Sequence, residues 1–183
     1  MLPGDLELIQ IVDAAVAESA RKSGHWLVCR PGCSQCCYGA FAIGQLDAHR
    51  LRQGLRLLDQ DDPERAARVR DRARFAAARI PSGAVPDDYD DDEPCPVLDP
   101  ETGTCDLYAW RPITCRTFGP PVSCGDDAVG VCELCFEGAT DEQIAECEVE
   151  LDIDDLETKL VQELEQATGA HGNMLVAFAL TGC

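Results

Sequence analysis

Apolar positions recur at helical spacing in several stretches of the chain. Over residues 5–22, Leu8, Ile9, Val12, Ala15, Val16 and Ala20 share a face, which predicts an amphipathic helix. A second helix is expected over residues 45–59, where Leu46, Leu51, Leu55 and Leu58 alternate with charges. A third has clear start signals: Asp62 as cap, Pro63 at the first helical position and Glu64 in the first turn. Its apolar stripe is Ala66, Val69, Ala73, Ala76 and Ile80, and Pro81-Ser82-Gly83 is expected to end it. Thr140-Asp141-Glu142-Gln143 matches a capping box and opens another helix. A last one is expected over 154–168, with Leu156, Leu160, Val161, Leu164 and Ala167 on one side and Gly169 as its stop.

Between these stretches the periodicity lapses. His25 to Tyr38 reads as a loop, Phe41-Ala42-Ile43 as a short extended piece, and Cys95 to Cys135 as a Pro- and Gly-rich loop. The pattern predicts a mainly α fold with little β. We expect one small helical domain over residues 1–183, its metal-binding core at about 25–137, with flanking helices at 5–22 and 140–168. The 183 residues can bury roughly 70% of their unfolded surface, so the chain does not need metals or disulfides merely to fold.

The formal net charge is −19, from 15 Lys and Arg against 34 Asp and Glu. Phosphate backbones and anionic lipid surfaces repel such a chain, so neither nucleic acid nor membrane is expected as a partner. The first residues are acidic where a secretory signal would be basic, and the longest apolar run, Met174 to Leu180, is seven residues. A cytoplasmic location is therefore expected. Six arginines (Arg65, Arg68, Arg70, Arg72, Arg74 and Arg79) lie along the third helix, where a solvated face pairing with nearby acids is the simplest reading. The acidic run Asp87 to Glu93 reads as a solvated linker, since it lacks the spaced ligands and glycine of a calcium loop.

The chemistry lies in the twelve cysteines. In a reducing compartment they point to metal or redox work more than to disulfides. Ten fall in the two loops: Cys29, Cys33, Cys36 and Cys37 in the first, and Cys95, Cys105, Cys115, Cys124, Cys132 and Cys135 in the second. Thiols two or three residues apart on a Gly/Pro turn can converge on one ion at about 2.3 Å. Eight such thiolates would make two four-ligand sites, with two to spare; the spacing does not say which cysteine belongs to which. Cys147 falls at an apolar helical position and is expected in the core, and Cys183 is expected to be free. His25, four residues before Cys29, is a weaker ligand candidate.

Cys29-x-x-x-Cys33-x-x-Cys36-Cys37 resembles the hallmark of the CxxCxxCC, or YkgJ-like, family of zinc- or iron-chelating domains. Cys95-Pro96-Val97-Leu98-Asp99, Gly103, Cys105, Tyr108, Arg111-Pro112, Cys115-Arg116 and Phe118 resemble that family's second block, CPFLD…G.C..Y..RP..CR.F, in the same order. The resemblance covers about residues 29–124 and implies zinc or iron as cofactor, the iron alone or in an iron–sulfur cluster. One branch of the family, the flagellin lysine N-methylases, is linked to iron–sulfur and S-adenosylmethionine chemistry. Arg111 and Arg116, flanking Cys115, are expected to offset thiolate charge, with Asp99 and Tyr108 as their hydrogen-bond partners.

Three functions compete at this point. The first is a metal-binding protein chelating zinc or iron through clustered thiolates. The second is an iron–sulfur protein, in electron transfer or as an S-adenosylmethionine-dependent enzyme, since Cys29, Cys33 and Cys36 also have radical-enzyme spacing. The third is a carrier or sensor that exchanges its ion. The metal ion is the one partner the residues name. A Gly-rich phosphate loop, a nucleophile elbow and a zincin helix are all missing from the sequence.

Overall fold

A computed structural model describes residues 3–80, 93–123, 129–151 and 156–181. It is mainly α, with seven α-helices and only short antiparallel strand pairs among the described residues. The chain falls into two compact units, one of residues 1–30 with 113–160 and the other of 31–112 with 161–183. No helix among the described residues is long and apolar enough to cross a membrane.

In the second unit, β1 (Ala42–Gly44) runs directly into α2 (Gln45–Asp61). Asp62 then ends one helix and caps the next, its carboxylate accepting from the Arg65 amide at 3.0 Å, and α3 (Pro63–Ala78) follows with proline in its first turn. The sequence anticipated all three elements to within two residues except for the end of α3. That helix stops at Ala78, with Arg79 at its C-cap, and Pro81 to Gly83 lie outside the described residues. So does the acidic run up to Asp92; its last member, Glu93, pairs with Arg79 at 2.8 Å.

The apolar run at the end of the chain supplies two elements the periodicity did not reveal. β6 (Asn173–Leu175) pairs antiparallel with β1, Ile43 opposite Met174, and continues into α7 (Val176–Thr181). Val176, Ala179 and Leu180 of α7 join Leu51 and Leu55 of α2 and Ala66, Val69 and Ala73 of α3 in one buried core. The alanines of α3 present a shallow surface that lets α7 lie close. Arg52 donates to the Ala179 carbonyl at 2.9 Å, tying α2 to α7.

The same core takes in the cysteine-bearing segment. Cys95, Val97, Leu98 and Leu107 are buried in it, and Trp110 packs against it. Gly54 is what admits Trp110: a Cβ there would stand 2.4 Å from the indole Cγ, far inside contact distance.

In the first unit, α1 (Asp5–Ser23) packs against α4 (Ile113–Thr117). Asp13 of α1 receives the Arg116 guanidinium on both carboxylate oxygens, at 2.8 and 2.9 Å. Thr140 caps α5 (Asp141–Glu146) through the capping box read from the sequence. β4 (Val122–Ser123) and β5 (Val129–Gly130) form a short ribbon, and Val149 donates to Pro121 at 2.8 Å. The boundary between the units falls within α6 (Leu156–Thr168), which is followed by Gly169 as anticipated; residues 154 and 155 lie outside the described set.

One consequence follows for Gly54. On an exposed helix Gly→Ala gains roughly 1 kcal/mol. Here Gly54→Ala is expected to destabilise by about 1–3 kcal/mol, because the indole cannot retreat without opening the core. Equilibrium denaturation checks it; a stabilised variant would contradict the packing.

Candidate metal centre

In the second unit the backbone brings two cysteine-bearing segments side by side, one with Cys36 and Cys37 and the other with Cys95 and Cys105. Cys36 and Cys37 lie on a 3₁₀ turn, Gln35–Cys37, closed by the Cys37 amide donating to the Ser34 carbonyl at 2.8 Å. Past that turn the chain is extended and bridges Tyr38 to Pro94. The Cys95 amide donates to the Cys37 carbonyl at 2.7 Å, which ties the two loops together at their cysteines. Three residues on, β2 (Leu98–Asp99) pairs with β3 (Thr104–Cys105), setting Cys105 opposite Leu98.

Side chains from α3 hold this hairpin. Arg72 donates through Nε to the Pro96 carbonyl at 2.8 Å and through Nη2 to the Asp106 carboxylate, which Arg65 also engages. The Asp106 side chain is only 1% exposed. A single guanidinium therefore spans the residue after Cys95 and the residue after Cys105, fixing the one thiol relative to the other. Other arginines of α3 pair with acids as anticipated, Arg70 with Asp59 and Arg74 with Asp71.

The electrostatics show that the thiols sense one another. A hydrogen bond from the Cys37 thiol to the Cys36 sulfur, helped by the Cys36 amide and the Arg111 charge against the cost of burial, lowers Cys36 from 9.0 to about 6. The same bond, then burial, then the charges of Cys36, Cys95 and Cys105 push Cys37 far up. Burial foremost pushes Cys95 up to about 12, with Cys105 and Cys36 adding and Arg72 opposing. Cys105 is raised by burial and by Asp106 and Cys36, while its contact with the Leu107 amide and the Arg111 charge work the other way.

Arg111 acts on Cys36 and Cys105, and it rests over the Tyr108 ring at 3.9 Å while donating to the Tyr108 carbonyl at 3.1 Å. Arg72, from another element, acts on Cys95, and Arg116 pairs with Asp13. Asp99 accepts from the Glu101 amide and so shapes the β2–β3 turn instead of holding an arginine.

The first unit holds another set. The Cys29 sulfur lies 4.0 Å from that of Cys135. Gly119, at φ 117°, leaves the room: a Cβ there would stand 2.9 Å from the Cys29 sulfur. Cys132 donates to the Gly119 carbonyl at 3.4 Å, and the Cys135 amide turns back onto the Cys132 carbonyl at 2.8 Å. Cys132, Cys135, Phe136 and Cys147 pack as one buried group with Trp26, Leu27, Val131, Ala139 and Ile144 against it, so Cys147 is in a core, as expected, but one it shares with two other thiols.

Cys33 and Cys115 are half-buried, on the loop after Gly32 and on α4 respectively, and Cys124 and Cys183 lie outside the described residues. His25 is exposed and stacks at a tilt on Trp26. No disulfide joins the ten described cysteines. Among the described residues no three His, Cys, Asp or Glu side chains already stand around one point as metal ligands. The donor chemistry nevertheless fits zinc or iron: soft thiols, desolvated, with guanidinium charge beside them. Sequence reasoning missed Arg72, Asp106, Gly119 and the company Cys147 keeps, because each acts through contacts between distant segments that carry no local pattern.

A family model described as "Putative zinc- or iron-chelating domain", named CxxCxxCC, matches residues 28–135, more than half of the chain. No curated protein and no solved structure matches it.

The metal-free thiols give a pH signature. Cys36 has its folded value lowered, so its contribution to stability is complete above pH 9.0 and lost as pH falls through about 6. Cys95 has its value raised, so its contribution is complete below pH 9.0 and lost as pH rises toward about 12. Stability of the reduced, metal-free protein is expected to climb between about pH 6 and 9, and Cys36→Ser to flatten that climb. Denaturation midpoints across the range, wild type against variant, check it; equal slopes would refute the assignment.

Proposed function

The chain belongs to the CxxCxxCC family of zinc- or iron-chelating domains, and we propose that it uses two groups of thiols for this. Cys36, Cys37, Cys95 and Cys105 take one ion in the second unit; Cys29, Cys132 and Cys135 take another in the first. The observation that carries the reading is the backbone crossing at the cysteines: the Cys95 amide donates to the Cys37 carbonyl at 2.7 Å, and Arg72 ties Pro96 to Asp106, so thiols from two loops separated by more than fifty residues of sequence are held on one support.

Metal supplies positive charge to a place that concentrates sulfur. Cys37, Cys95 and Cys105 would hold the ion as thiolates, giving up their protons, and attraction to the cation would replace the repulsion that keeps them neutral. Arg111 and Arg72 then face a thiolate centre whose formal charge with four ligands and one divalent ion is −2. Four thiolates would close the coordination sphere, and the ion would then serve as a structural staple between the two loops. Ligation of this kind stabilises a fold by about 10–16 kcal/mol per zinc at neutral pH.

The test is a zinc titration of the reduced, metal-free chain, with thermal unfolding followed before and after. About two zinc ions per chain are expected, with a large rise in Tm and release of protons to the buffer. Cys95→Ser is expected to lose one of the two. A chain with the same Tm and no bound zinc, or a Cys95→Ser variant that binds as the parent does, would sink the proposal.

A further inference from the structure

We propose that Cys147, which lies beyond the family domain, completes the thiolate site of the first unit as its fourth ligand beside Cys29, Cys132 and Cys135. This rests on the metal-binding reading just given and extends it to a residue that the domain does not contain.

Three observations converge on the site. The first is the sulfur spacing. In a tetrahedral zinc–thiolate centre with bonds of about 2.3 Å, neighbouring sulfurs are roughly 3.8 Å apart. Cys29 and Cys135 stand at 4.0 Å, near that edge length and far from the roughly 2 Å of a disulfide. Two corners of a tetrahedron are therefore in place before any ion arrives.

The second is the company around Cys135. Cys132, Cys135 and Cys147 are 6%, 4% and 5% exposed and share one packed group, closed by Phe136. Three thiols sharing one buried cluster, with Trp26, Leu27, Val131, Ala139 and Ile144 packed around it, are a poor choice for packing alone, since Leu or Val would bury more apolar surface there. Cys147 is also anchored. Its carbonyl accepts from the Ser19 hydroxyl of α1, and its amide donates to the Ile144 carbonyl at 3.0 Å, at the C-terminal cap of α5.

The third is backbone strain. Phe136 holds φ 60°, the one positive value at a non-glycine position among the described residues. For a bulky buried side chain that conformation is strained, and it persists where the surroundings dictate it. It comes directly after Cys135, and the Phe136 amide is tied to the Trp26 carbonyl at 3.0 Å, three residues before Cys29. The strained turn thus holds Cys135 and the approach to Cys29 in one frame. Cys29 is the exposed member, so an ion would enter past it and meet the three buried thiols behind. Each thiol would surrender its proton on ligation, four protons leaving for one divalent ion.

Cobalt(II), whose thiolate charge-transfer and d–d bands count sulfur ligands, is the probe. In the 183-residue Cys36→Ser/Cys37→Ser chain the second unit's site is disabled, and the remaining cobalt is expected to show a four-thiolate tetrahedral spectrum. Adding Cys147→Val, which keeps apolar volume, should remove roughly a quarter of that charge-transfer intensity, one thiolate of four, and weaken binding. Far-ultraviolet circular dichroism of the metal-free variant confirms that it folds. If Cys147→Val leaves the spectrum unchanged while Cys29→Ser abolishes it, or if Cys115→Ser takes the loss instead, Cys147 is not the ligand and the metal site stands. If Cys29→Ser is also without effect, the first unit's site itself falls. The parent double variant needs no change at Cys147: a spectrum of three thiolates or fewer there overturns the inference outright.

Discussion

Sulfurs placed side by side cannot all carry charge unless a cation joins them. In the metal-free second unit one thiol, Cys36, is lowered to about 6, and it is lowered at the expense of its neighbour Cys37, whose proton it shares. Burial and the sulfur charges keep Cys95 and Cys105 neutral. The group admits a first negative charge and resists the next. A site of that kind is frustrated when empty of positive charge and relieved by it, which is the physical basis of the chelation we propose for it.

The fold's part is to keep such a group together despite its repulsion. It does so with backbone hydrogen bonds at the cysteines themselves and with one buried carboxylate. Asp106, gripped by Arg65 and Arg72, fastens the Cys105 strand to α3, and Arg72 reaches on to Pro96 beside Cys95. The helix stays in place because its alanines pack under α7, whose strand β6 pairs with β1 at the head of α2. Packing at one face of α3 and ion pairing at another are thus parts of the same support.

Much of this was legible in the sequence. Asp62-Pro63 and the Thr140 box act within one turn, so the residues that dictate them are adjacent, and both were found where expected. The cysteine clusters were legible for the same reason: spacing alone marks a turn that can present two thiols. Their sorting was not. Cys36 and Cys37 join Cys95 and Cys105, while Cys29 of the same motif lies against Cys135, because the partition is made by chain crossings such as Cys95 to Cys37. The segment 173–181 was missed because six helical residues are too few to show a period. Arg72 read as a solvated cation because nothing in its own neighbourhood announces Asp106, thirty-four residues away.

X-ray absorption at the metal edge, on protein purified without oxygen, tests the central claim most directly. It reads the ligands of whatever ion the chain carries. The account expects a shell of sulfur alone, about four per ion at roughly 2.3 Å. A shell of nitrogen and oxygen donors, or purified protein that carries neither zinc nor iron and takes up neither when offered, would contradict it.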